Sequence, residues 1–281
     1  NCYTGAQGFQ TTHATAEKVA EVLEVSAGDV LVCYTGLIGE QLDLGKLTAG
    51  VEAAAAELSA EAGASAAEAI MTTDSVSKTA QHSSPAGWSV GGMAKGAGML
   101  APGLATMLVV VTTDAVIDSA SLDQALRAAT RVTFDRLDSD GCMSTNDQVT
   151  LMASGASGVQ AETSEFEKLL TQVCKELALK LLDDAEGASH NIHITVDGAA
   201  SEDDAVEVAR SVARNNLFKA AIFGNDPNWG RILAAVGVTN AAFDPYDIDV
   251  FINGVRVSSK GQPDQSRDLV DLTPRLVEIQ I

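Results

Sequence analysis

The chain is poor in cysteine: Cys2, Cys33, Cys142 and Cys174 are scattered over 281 residues and form no C-x-x-C pair. That excludes a disulfide framework and argues against a structural zinc site, so a reducing cytoplasm is the expected compartment. Basic residues are also few, 18 against 38 acids, giving a net charge of −20 without any Lys/Arg-rich run. Nucleic acid and anionic lipid are therefore excluded as main partners. No apolar run approaches the roughly 18 residues that a membrane span needs, which points to a soluble protein. Asn1 is not an initiator methionine, and no signal-peptide layout follows it, so the expectation is a fragment whose natural start is missing. Nucleotide signatures are missing too. No G-x-G-x-x-G follows a strand, and Lys95 precedes its glycines where a P-loop lysine follows them. No cofactor or metal is implied.

What is present is an alternation of helix and strand patterns. Apolar residues recur at Phe166, Leu169, Leu170, Val173, Cys174, Leu177 and Leu181, and again at Leu122, Ala125, Leu126, Ala129 and Val132, the spacing of one helix face. The Ala-rich stretch 51–69 is a third helix, broken at Gly63. "DVLVCY" (29–34), "MLVVV" (107–111), "NIHITVDG" (191–198) and "YDIDVFI" (246–252) read as strands. Asn253-Gly254 predicts a type I′ hairpin turn, which needs positive φ at both central residues. The fold class is therefore α/β, an α+β layered sandwich with helices flanking mixed sheets. His190 and His193 lie three apart in a strand and so face opposite ways, which disfavours shared metal ligation; His190 reads as exposed. Trp229 reads as core or pocket wall.

Chemistry concentrates in "KGAGMLAPGLATMLVVVTTDA", residues 95–115. Gly96, Gly98 and Gly103 let backbone approach closely, and Pro102-Gly103 suits a type II turn. Thr106 opens the apolar strand run, preceded by small Ala105. The plain reading is a strand-starting threonine. The sharper one is self-cleavage: Thr106 Oγ attacks the Ala105 carbonyl, and the ester resolves to leave Thr106 as a new N-terminus. Its α-amine, with pKa of about 7.7–8.0, then serves as its own base. Such chemistry needs oxyanion donors, and "YTGLIGE" (34–40), after an expected strand, offers Thr35 and Gly36.

"NCYTGAQG", "YTGLIGEQL", "AIMTTD", "KGAGMLAPGLATML", "STND", "DAEG" and "FGNDPNWGRIL" occur in an order and spacing that resembles the arginine-biosynthetic ornithine acetyltransferase family, also called glutamate N-acetyltransferase. The likeness spans nearly the whole chain, and the family extends beyond both its ends. It implies an N-terminal-nucleophile-like acetyltransferase fold and autoproteolysis between Ala105 and Thr106. The products would be an α chain of residues 1–105 and a β chain of 106–281 that includes a smaller C-terminal α/β region. It implies ping-pong transfer in which Thr106 takes acetyl from N2-acetylornithine and passes it to glutamate, with acetyl-CoA a further donor in some members. By matching motif, Thr35 and Gly36 form the oxyanion hole, while Thr73, Lys95, Thr106 and Glu186 contact substrate. It also implies an α2β2 assembly. Two other readings stay open on the sequence: a related self-cleaving aminopeptidase, and an inactive relative that binds a small molecule.

Overall fold

The N-terminal stretch is helical for reasons visible in its sequence: alanines recur through it, and an aspartate stands at the start of its second helix. In the computed structural model, which describes residues 1–101 and 107–281, α1 (Gly5–Leu23) packs against α2 (Leu44–Ala56). Asp43 caps α2 by accepting from the Lys46 N–H at 3.1 Å. The Ala-rich stretch is interrupted, as expected, but ahead of Gly63 and not at it. Helix α2 stops at Ala56, and α3 (Gly63–Ala69) begins at the glycine expected to break it. The break falls at residues 57–62, where no side chain caps the next helix. "DVLVCY" is a second correction: Ala27–Asp29 is a 3-10 turn, and residues 30–36 are irregular. Neither sheet pairs with this segment among the described residues, and β-propensity without a partner strand does not make a strand.

A four-stranded sheet follows, from β1 (Lys78–Ser83), β2 (Ser89–Lys95), β3 (Leu108–Thr113) and β4 (Gln148–Ala153), in the order β1-β2-β3-β4. The first two pairings are antiparallel, and β3 with β4 is parallel. Between β3 and β4 lies α4 (Ser119–Arg131), capped by Asp118, whose carboxylate accepts from the Ala120 and Ser121 N–H groups at 3.0 Å. After β4 comes α5 (Thr163–Asp183), which packs on β1, β2 and α4. Its periodic face is buried as expected, with Phe166, Leu170, Val173, Cys174, Leu177 and Leu181 at zero exposure. Each such side chain contributes about 1.5–3 kcal/mol by leaving water. Phe166 meets Trp88 with ring centroids 5.6 Å apart. Strands β2 and β3 approach so closely that a Cβ on Gly92 would sit 2.8 Å from the Val110 carbonyl oxygen.

These elements form one compact unit, Asn1–Asp135 with Met143–Asp184; the second comprises Arg136–Cys142 and Ala185–Ile281. It holds β5 (Asn191–Thr195), α6 (Glu202–Arg214), α7 (Asn216–Phe223), α8 (Trp229–Val236), β6 (Val250–Ile252), β7 (Val255–Ser259), β8 (Gln262–Pro263) and β9 (Leu276–Gln280). The sheet order is β5-β9-β6-β7-β8, mixed, with β5 parallel to β9. Its core joins Val208, Val212, Phe218, Ile222 and Ile232 of the helices to Val250, Ile252, Val277 and Ile279 of the strands. Asn253 and Gly254 carry φ of 47° and 80°, the pair of positive values expected of the turn between β6 and β7. The strand expected over 246–252 is shorter, beginning at Val250, because residues 245–247 turn. Trp229 packs against this apolar core.

Candidate active site

Strand register brings the chemically suggestive residues of the first unit to one end of its sheet. Lys78 opens β1 opposite Ala94; Lys95 ends β2 opposite Leu108; Leu108 pairs with Gln148, which opens β4. Lys95 and Asp147 thus flank the start of β3 from either side. Thr106 and Ala105, with the Pro102-Gly103 turn, lie outside the described residues. Met107, one peptide bond after Thr106, is described and 7% exposed.

Met107 is held on both its backbone groups. Its N–H donates to Asp147 Oδ1 at 2.8 Å, and its carbonyl accepts from the Gln148 N–H at 3.0 Å. The other oxygen, Asp147 Oδ2, is buried and has no hydrogen-bond partner among the described residues. Burial pushes the Asp147 carboxyl up to about 6, against the opposing pull of the Met107 N–H and the Lys95 ammonium. Lys95 itself is 2% exposed.

The preceding residue, Asn146, donates from Nδ2 to the Tyr34 carbonyl at 3.4 Å. This ties the turn before β4 to the segment carrying Thr35 and Gly36. That segment is fixed further by Asn1, whose Nδ2 donates to the carbonyls of Leu37 at 2.6 Å and Glu40 at 2.8 Å. The Tyr34 hydroxyl meets Thr12 Oγ1 at 2.6 Å. Thr35 is half-buried and Gly36 exposed. Thr35 and Gly36 thus follow a residue bonded to the turn that grips Met107, and no strand among the described residues carries them.

A buried ion triad underlies the same sheet end. Lys78 Nζ lies 2.6 Å from both Asp74 Oδ1 and Asp184 Oδ2, with its side chain at zero exposure. Asp74 Oδ1 also accepts from the Gly96 N–H at 2.7 Å, and its Oδ2 from the Thr72 N–H at 3.1 Å. Burial opposes the Asp74 charge, but these two N–H groups and Lys78 outweigh it and hold the carboxyl below its ordinary value. Asp184 is likewise lowered: burial opposes its charge, and Lys78 with the Ser75 hydroxyl and N–H outweighs that. This triad positions the backbone of two predicted substrate contacts. Thr73, exposed, is flanked by Thr72 and Asp74, and Lys95 is bonded to Gly96.

Glu186 belongs to the second unit, exposed on a turn at 185–188. His190 corrects an expectation: it is half-buried, its Nε2 2.9 Å from the Leu272 carbonyl and its Nδ1 2.9 Å from Ser189 Oγ. A fixed ring in a backbone contact explains why it does not extend into solvent. No group of three His, Cys, Asp or Glu residues among the described ones could hold a metal ion.

Asp74, Lys78, Asn146, Asp147 and Asp184 were missed as site residues by the sequence reading. The signal was available: Asp74 ends "AIMTTD", Asn146 and Asp147 end "STND", and Asp184 opens "DAEG". Lys78 lies in none of these motifs, and nothing in linear order says that they converge.

The model of the ArgJ family matches residues 1–281. The chain belongs to the ArgJ family. It is 61% identical over 279 residues to arginine biosynthesis bifunctional protein ArgJ of Streptomyces avermitilis, covering 99% of this chain and 73% of that protein. The namesake from Thermobifida fusca is 58% identical over 281 residues, covering 100% and 73%. A crystal structure of arginine biosynthesis bifunctional protein ArgJ from Bacillus halodurans superimposes with a TM-score of 0.56 at 34% identity, over 61% of this chain and 86% of that one. The mixed α/β architecture, the family and the enzyme class expected from the motifs are thereby borne out: an acetyltransferase of arginine biosynthesis. The relatives' names speak of biosynthesis, which weighs against the aminopeptidase.

Proposed function

We propose that this ArgJ-family acetyltransferase moves the acetyl group of N2-acetylornithine to glutamate through an ester on Thr106, after cutting itself between Ala105 and Thr106. The observation that carries this reading is the turn at Asn146-Asp147. One residue holds the Tyr34 carbonyl beside Thr35 and Gly36, and the next holds the amide that joins Thr106 to β3. A threonine on that peptide has oxyanion donors within its own unit.

Before cleavage, Thr106 Oγ attacks the Ala105 carbonyl, the Thr106 nitrogen leaves, and water hydrolyses the ester. The freed α-amine then takes the hydroxyl proton as Oγ attacks the acetyl carbonyl of acetylornithine, and returns it to the departing ornithine amine. Glutamate's amine collects the acetyl group by the reverse steps. Thr35 and Gly36 stabilise the tetrahedral oxyanion, each donor typically giving about 100 to 1,000-fold in rate. Lys95 suits a substrate carboxylate, and Glu186 the ornithine ammonium. Thr73 completes the contacts. The bifunctional names of the relatives fit acetyl-CoA as a second donor. The cleaved chains pair as α2β2 in the cytoplasm.

Intact-mass analysis with N-terminal sequencing tests the central step. Two fragments, one beginning Thr-Met-Leu-Val, together with acetyl transfer from acetylornithine to glutamate, are the expected result. An uncut chain that still transfers acetyl would overturn the Thr106 mechanism.

A further inference from the structure

The fold by itself asks for only a hydrogen-bond acceptor at position 147, to receive the Met107 N–H. What stands there is a carboxylate. One oxygen makes that bond at 2.8 Å; the other is buried without a partner among the described residues. A buried polar atom left unpaired is costly, and native folds rarely keep one without a reason. An asparagine in its place would supply the same acceptor without a charge to bury.

The position supplies the reason. Asp147 and Gln148 grip the two backbone groups of Met107. The amide gripped by Asp147 is the peptide bond that links Thr106 to the sheet. Hydrogen bonds to an ionised acceptor are shorter and roughly twice as strong as neutral ones. The charge is kept within the influence of the Lys95 ammonium across β3. We propose that Asp147 is a positioning residue for acyl transfer, its ionised carboxylate clamping the Met107 N–H, the amide that follows Thr106 at the start of β3.

This rests on the reading of Thr106 as nucleophile. A misplacement of about 1 Å at a reacting centre can lower a rate about 100-fold without weakening ground-state binding. In Asp147→Ala, kcat per cleaved chain is therefore expected to fall about 100-fold, with KM for acetylornithine and glutamate within about threefold of wild type. Asp147→Asn keeps the acceptor and loses the charge, and is expected to recover part of that loss, to within about tenfold of wild type. A folded variant that fails to cut itself supports the clamp equally.

Thermal melting separates positioning from mere structure. The folded carboxyl titrates near 6, above its unfolded value, so the stability it lends is present below about pH 4 and lost as pH rises through 6. Asp147→Asn is accordingly expected to melt at or above the wild-type temperature at pH 8, while turning over more slowly. A residue with only a structural role would show the opposite pattern: lower melting with unchanged kcat. Wild-type kcat in Asp147→Asn overturns the proposal, including where the alanine variant does not fold. Thr106→Ala assayed alongside distinguishes the two failures. If it retains activity, the nucleophile reading falls; if it is inactive while both Asp147 variants match wild type, the clamp alone falls.

Discussion

The two compact units bury different things. In the second, helices and strands meet through Val208, Val212, Phe218, Ile222, Ile232, Ile252, Val277 and Ile279, and its buried polar residue is Ser258. Among the described residues, the buried charged ones, Asp74, Lys78 and Lys95, all belong to the first unit. They collect at one end of its sheet, with Asp147 beside them. Apolar burial stabilises without direction, whereas a buried charge is costly unless paired and hydrogen-bonded. The first unit therefore accepts less favourable burial where it needs fixed polar geometry; the second does so at Asp138, whose side chain is 4% exposed and meets Arg214 at 2.6 Å, away from its apolar core.

Substitutions can break or sharpen that contrast. The largest effect is expected from Lys78→Met, which leaves Asp74 and Asp184 without the ammonium 2.6 Å from each. Breaking a buried pair on one side costs about 3–5 kcal/mol, readable by urea denaturation at pH 7. Asp74 and Asp184 titrate below their ordinary values in the fold, so the stability they lend is present above about pH 4 and lost as pH falls through the folded values. The Lys78→Met deficit should shrink towards acid for the same reason. If it is the same at pH 4 as at pH 7, the triad is not an electrostatic device. The counterpart in the second unit is Ile252→Ala, expected to cost about 2–5 kcal/mol by opening a cavity. Its deficit should not vary with pH; a variation matching that of Lys78→Met would erase the distinction between the units. The smallest effect is expected from Gly254→Ala at φ of 80°, about 1 kcal/mol from a strained hairpin turn. Acetyl transfer should be unchanged in this variant, and a loss of activity would show that the hairpin matters to the site.

The elements that matched the sequence reading were those with a strong local cause. Helix α5 followed from its apolar spacing, and the turn at Asn253-Gly254 from the left-handed conformation those two residues tolerate. The segment at 29–34 failed for the complementary reason: a strand is a pairing, and composition does not reveal whether a partner exists. Lys95 could be singled out from its glycine-rich surroundings, but its burial could not. Its place beside β3 is a matter of register.

The sequence alone determined the family, the helices with clear periodicity, and the motifs in which the chemistry resides, because these depend on residue identity and short-range spacing. Only the tertiary structure decided that Asn146 and Asp147 join the Thr35-Gly36 segment to the Met107 amide, and that Asp74, Lys78 and Asp184 form one buried triad. Asp184 is 106 residues from Lys78 and Asn146 is 112 from Tyr34. Contacts across such separations arise when helices and strands pack to remove apolar surface from water, and the charges are then fixed wherever that packing leaves them partners.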